Sequence, residues 1–186
     1  MALSVQLYFG LLALVAIGRV LELRRSRINQ QKLFAAGGQK SPEPCYIWMV
    51  ALHTGMLTGS ALEVALLDRP WIPAIGFISL AFFLAANAAR WWVIRTLGPR
   101  WNVQVVSSSL GIVADGPYKW VRHPNYSAVF VEMLALPLIH SAWIVAGVGT
   151  ALHILVLRNR VALEESVMMR DPAWRAAFAQ HPRFIP

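Results

Sequence analysis

The stretch "SAVFVEMLALPLIHSAWIVAGVGTALHILVL", residues 127–157, decides the architecture. It is almost wholly apolar, and a chain crossing lipid must satisfy its backbone groups within itself, so it reads as helix. As one helix it would be about 46 Å long, against a hydrocarbon core of about 30 Å. Pro137 lacks a backbone donor and crowds the turn before it, and the polar pair His140 and Ser141 follows. The run therefore reads as two shorter helices in a hairpin, the first of which need not cross the whole bilayer.

Three apolar runs precede it. The first, residues 3–21, has no basic residue ahead of it and Arg24, Arg25 and Arg27 directly behind it. That pattern fits an uncleaved span with its N-terminus outside better than a signal peptide. Residues 22–44 are polar and basic and end in "GGQKSPEP", which has the composition of a cytoplasmic connector. Spans at 45–67 and 74–94 are joined by the short "DRPWIP", so they form an antiparallel hairpin. Residues 102–116 read as an ordered loop in which "VQVV" could pair briefly as a strand. In the tail, Asp171 can cap a helix, Pro172 suits its first position, and Trp174, Ala177 and Phe178 share a face, giving a helix at the membrane interface.

The expected fold is thus all-α and integral to the membrane, with about five transmembrane helices. Residues 1–186 form one membrane domain, with three spans in 1–94 and the loop, hairpin and tail in 95–186. Composition agrees: 57% of residues are hydrophobic and 14% charged, where a soluble domain carries about 25% charged residues. The 17 Lys and Arg against 9 Asp and Glu give a net charge of +8, but they flank apolar runs instead of forming a stripe. Inside-positive topology accounts for them, and nucleic acid is not an expected partner. The single cysteine, Cys45, excludes an intramolecular disulfide and gives no metal signature, so no metal is expected. There is no internal repeat, GxGxxG, P-loop, HExxH or CxxC, and a Rossmann-type site is excluded on that ground.

Chemistry-bearing residues collect at two cytoplasmic places. In "GPYKWVRHPNY", residues 116–126, Gly116 and Pro117 make a turn, His123 is pushed out of the helical region by Pro124, and Pro124 opens the next helix. Backbone N–H groups at such a helix start favour carboxylates or phosphates, with Arg122 and Lys119 adding charge. The alternative is a membrane anchor in which Tyr118, Trp120 and Tyr126 are an aromatic belt. In "RNRVALEE", residues 158–165, Arg160 and Glu164 stand one helical turn apart and close enough to pair. Ionisable groups inside the spans are functional candidates as well: His53, Glu63, Asn87, Arg90, Glu132, His140 and His153. Arg90 can snorkel to the interface, Glu63 lies near the outer end of its span and His140 falls in a turn, whereas Glu132 needs a partner or a proton.

Together, "GPYKWVRHPNYSAVFVE", "RNRVALEESVMM" and a final "HPRFIP" resemble the isoprenylcysteine carboxyl methyltransferase family in its short bacterial form. The resemblance covers about the last 75 residues of the chain. It implies S-adenosylmethionine as cofactor and methyl donor, a bacterial inner-membrane location, and a site on the cytoplasmic face. Carried over, Gly116, Pro117, Tyr118, Arg122, His123, Pro124, Tyr126 and Glu165 would bind the cofactor, and Arg160 and Glu164 would be the catalytic pair. The family often has glutamates where this chain has Ala162 and Leu163, and tyrosines where it has Trp174 and Phe178. The acceptor would be an amphiphile entering from the bilayer: either an isoprenylcysteine carboxylate, needing only orientation by Arg160, or a phenolic or pyrone lipid, for which Glu164 or His123 could take a proton. Two rivals stay open. A related family of NADPH-dependent sterol or isoprenoid reductases shares an HP-Y-like loop but usually has more spans, and a non-enzymatic membrane scaffold would use the aromatics only as anchors.

Overall fold

The computed structural model describes residues 2–107 and 110–185. Residues 108 and 109 of the expected ordered loop, and the last proline of "HPRFIP", lie outside the described residues. The described residues form six α-helices: α1 (Leu3–Ala35), α2 (Tyr46–Leu66), α3 (Pro73–Leu97), α4 (Pro124–Leu138), α5 (Trp143–Met168) and α6 (Pro172–Phe178). Helices α1, α2, α3 and α5 are long and apolar enough to cross a membrane. The fifth expected apolar helix, α4, has 15 residues, or about 22 Å. Its polar backbone is not left in lipid, because α4 packs on α3 and α5.

The protein is an all-helical integral membrane protein whose lipid side is written in its exposure. Leu3, Leu7, Leu14, Ile47, Trp48, Phe77, Phe82, Val148 and Leu155 are exposed apolar side chains that need a nonpolar solvent. Inside, Tyr8, Leu12, Val64, Phe83, Leu136 and Ala142 form the central apolar cluster.

The α4–α5 hairpin turns where Pro137 predicts. Pro137 sits in the last turn of α4, and residues 139–142 make the reversal with Ser141 at φ 57°. His140 lies in that turn, fully buried, with its Nε2 3.3 Å from the Ser4 hydroxyl. Glu63, at the outer end of α2, accepts from the backbone N–H groups of Ile144 and Val145 at 3.1 and 2.8 Å and from Arg69 at 2.9 Å. A carboxylate on the first turn of α5 satisfies otherwise orphaned N–H groups and complements the helix dipole.

The first helix departs from expectation. It does not end near residue 21 but runs to Ala35, so most of the segment read as a connector is helical. The reason is a stripe of three polar residues and a leucine, Glu22, Ser26, Asn29 and Leu33, spaced four, three and four residues apart and buried along one face. Asn29 donates to the carbonyls of Trp101 (2.7 Å) and Gly98 (3.2 Å), and Ser26 donates to Asn102 and accepts from the Val103 N–H. The connector proper, residues 36–45, then pairs with "VQVV": Lys40 and Val106 form an isolated antiparallel bridge, flanked by Ser41 N–H to Val105 O and Ser107 N–H to Gln39 O.

Candidate functional site

Gly116 begins a single 3-10 turn, Gly116–Lys119, and must be glycine for two reasons. Its φ is +57°, and a Cβ there would stand 2.7 Å from Thr96 Oγ1. The turn buries Pro117 and carries Tyr118 to Phe178 of α6, ring centroids 6.4 Å apart. Burial against α6, with the Glu164 carboxylate adding to it, pushes the Tyr118 phenol well above its ordinary range, so it stays protonated. The predicted interfacial helix thus buries Trp174 and Phe178 against the protein, and Asp171 caps it by accepting from Ala173 N–H at 2.8 Å.

His123 is the buried residue before α4, held at φ −127° and ψ 56° by Pro124. Its Nε2 lies 3.1 Å from Glu165 Oε1 and its Nδ1 3.7 Å from Glu164 Oε1. Glu165 is a hub: Arg183 reaches it through Nε and Nη2 (3.1 and 2.8 Å), and Arg122 through Nη1 (3.3 Å). The backbone N–H groups of Arg122 and His123, read from sequence as an anion site, are instead taken at 2.9 Å each by the carbonyls of Pro182 and Arg183. The C-terminal segment is thereby hydrogen-bonded to the loop, which explains why "HPRF" belongs with "RHPNY".

Arg160 and Glu164 lie on one face of α5, but the Tyr126 hydroxyl stands between them, donating to Glu164 and accepting from Arg160 Nε at 2.8 Å. The carboxylate partner of Arg160 is Glu43, 2.5 Å from its Nη1, while its Nη2 donates to Val103 O. One buried guanidinium therefore fastens α4, the connector after α1 and the loop after α3 to α5. Glu43 was not legible as a partner, because nothing periodic links position 43 to position 160.

Nearer the membrane centre Arg90 does not snorkel. It turns inward and grips Glu22 through Nε and Nη2 at 3.0 and 2.6 Å. Arg19 bridges Glu22 (2.8 Å) and Glu132 (2.7 Å), and Arg90 Nη1 lies 3.8 Å from Glu132. Glu132 thus has arginine partners at Oε2, while its Oε1 is buried without a hydrogen-bond partner. Two arginines against two carboxylates let buried charge persist at this depth. Arg19 and Glu22 escape sequence reading because at the end of an apolar run they look like ordinary interfacial residues.

These groups surround one cavity of about 230 Å³. Tyr118, Arg122, His123, Tyr126, Arg160 and Glu164 line it, joined by Asn125, which the motif does not single out. Gly116, Pro117, Pro124 and Glu165 shape or brace that wall from behind. The deeper wall carries Met49, Val50, His53, Leu57, Val129 and His153, with Arg19, Glu22 and Arg90 between the two ends. Three or more His, Cys, Asp or Glu grouped as a metal site do not occur among the described residues.

The cavity thus lies inside a helical membrane protein, with most of its polar lining near the RHPNY loop. The family model of the isoprenylcysteine carboxyl methyltransferase (ICMT) family matches residues 78–170, from within α3 to just beyond α5, and the chain belongs to that family. Over 164 residues, 87% of this chain and 96% of the relative, it is 27% identical to YpbQ, an uncharacterized protein of Bacillus subtilis (strain 168). It is 34% identical over 93 residues to an uncharacterized protein of Haemophilus influenzae, spanning 49% of this chain and 54%, or about half, of that relative. Family membership supports a membrane methyltransferase for lipophilic acceptors.

Proposed function

We propose that this protein transfers a methyl group from S-adenosylmethionine to an oxygen of an amphiphilic lipid, at the cytoplasmic face of a bacterial inner membrane. The observation that carries this reading is that the RHPNY loop and the Arg160–Glu164 turn of α5, distant in sequence, line one cavity and share the Tyr126 hydroxyl. The cofactor fits the polar wall by chemistry. Arg122 Nε and Asn125 Oδ1 belong to lining residues and are buried without a protein partner, a free donor for a carboxylate and a free acceptor for an ammonium. Those are the two ends of an amino-acid moiety.

When bound, S-adenosylmethionine supplies an electrophilic methyl on a sulfonium sulfur. The chain's part is alignment and exclusion of water, and it needs no nucleophile of its own. Tyr126 and Tyr118 offer aromatic faces beside the Glu164 carboxylate, a suitable lining for a cation. Arg160, pinned by Glu43 and Val103, fixes Tyr126 against Glu164. The apolar wall of α2, α4 and α5 receives the lipid tail, and the partners are membrane lipids and this acceptor. The basic residues Arg24, Arg25 and Lys32 on α1, Arg95 in the last turn of α3, Arg100 after it, and those of the tail support a site and C-terminus in the cytoplasm and an N-terminus outside.

Equilibrium binding to detergent-purified protein tests the reading. S-adenosylmethionine should bind saturably and NADPH should not, with the donor weakened at least about tenfold by His123→Ala. Binding of NADPH alone would replace methyl transfer with reduction.

A further inference from the structure

His153 is a lining residue whose chemistry nothing above employs. It lies in the middle of a span, is 4% exposed, and neither ring nitrogen has a hydrogen-bond partner. Buried polar groups are ordinarily satisfied, and two orphaned nitrogens on one ring facing a cavity mark a place for a polar ligand. The neighbours cannot supply one. Phe130 lies 6.3 Å away, ring to ring, and His53 meets His153 edge-on at 6.0 Å while its own Nδ1–H goes to Met49 O at 2.8 Å.

The charges around the cavity say what kind of ligand. The three lining arginines not assigned to the methyl donor already have carboxylate partners: Arg19 has Glu22 and Glu132, Arg90 has Glu22 and Arg160 has Glu43. A carboxylate acceptor would enter beside occupied cations and the acidic Glu22 and Glu164. An uncharged hydroxyl meets no such penalty, and an imidazole, mostly neutral at pH 7, can accept its hydrogen bond.

We infer that His153 binds and deprotonates the hydroxyl of an uncharged, phenol-like lipid acceptor. The inference rests on the methyl-transfer reading and narrows it to one acceptor class. In the step, the acceptor oxygen gives its proton to the His153 imidazole and its electron pair to the methyl carbon. The carbon–sulfur bond breaks with its pair left on sulfur, and the proton leaves the imidazole to solvent after release. His153 stands seven residues, about 10 Å, along α5 from Arg160 and on the same face, so the head group is gripped on the membrane side of the polar wall.

The test uses two probes that differ only in head group, p-dodecylphenol and p-dodecylbenzoate, bound to purified full-length protein with S-adenosylhomocysteine present. The phenol should bind at least about tenfold tighter than the benzoate, and His153→Phe should erase that preference. Because His153 has no hydrogen bond to lose, His153→Phe should melt no lower than the parent, whereas a merely structural histidine would cost stability. His153→Gln should keep phenol binding but depress its methylation by about a hundredfold or more. Equal or tighter benzoate binding, no phenol binding at all, or phenol binding indifferent to His153→Phe overturns the inference. Failure of the parent to bind S-adenosylhomocysteine, measured separately, would overturn the methyl-transfer reading itself.

Discussion

Two regions at the cavity, the Arg160–Glu165 network and the His153 ring, treat their polar groups in opposite ways. In the network Arg160 donates to Tyr126, Glu43 and Val103, and Glu165 gathers Arg122, His123 and Arg183. His153 has no hydrogen-bond partner at all. The braced network is preorganised to hold a ligand in one orientation, while the orphaned imidazole is a group whose partner arrives from outside. In a low-dielectric setting the two arrangements have opposite costs. Removing a member of the braced network strands its neighbours, and removing the orphan strands nothing.

That contrast breaks first at Arg160. Arg160→Ala should leave Glu43 without its cation and Tyr126 without its donor, and destabilise the protein by about 3–5 kcal/mol, read as thermal unfolding in detergent. A melting temperature no lower than that of His153→Phe would show the two regions to be equivalent. Gly116→Ala should cost about 1–3 kcal/mol by the same measurement, because its positive φ and the approach to Thr96 allow no Cβ. An unchanged melting temperature would mean the turn is not held as described.

Tyr126→Phe sharpens the comparison by removing a single hydroxyl from the braced network. The stranded Glu164 and Arg160 contacts should lower stability by about 1–3 kcal/mol and methyl transfer by more than tenfold. Full activity in this variant would take the Tyr126 bridge out of the mechanism. The smallest effect belongs to Arg183, whose side chain is 55% exposed. The Glu165 carboxylate raises the Arg183 guanidinium above its already high range, but a half-exposed pair is screened, so Arg183→Ala should cost less than about 1 kcal/mol. Its signature should be faster proteolysis of residues 179–185, and a tail equally resistant in parent and variant would show that the backbone bonds alone hold it.

Sequence reading recovers what local chemistry dictates. Apolar run length sets the four long helices, Pro137 sets the hairpin, and Asp171 with Pro172 sets the start of α6. Tyr118, Arg122, His123, Tyr126, Arg160 and Glu164 converge because each sits at a helix end or on a helix face that a short motif defines. Pairings across distance are not written that way. Glu43 with Arg160 and Glu22 with Arg90 join residues far apart in the chain, and no spacing rule connects them. The long α1 is missed for a related reason: its buried stripe is polar, so hydropathy ends the helix where packing continues it. The occupied N–H groups of Arg122 and His123 are invisible until the tail is seen lying against them.

The central claim is that the polar wall takes a methyl donor from the cytoplasm while the apolar wall takes its acceptor from the bilayer. Labelled S-adenosylmethionine, too polar to cross a membrane, can be supplied to sealed vesicles from cells producing the protein, prepared inside-out or right-side-out. The account predicts organic-extractable label in the inside-out vesicles alone, lost with Arg160→Ala. Label in right-side-out vesicles alone would reverse the topology, and protein-dependent label in neither preparation would contradict methyl transfer to a membrane lipid.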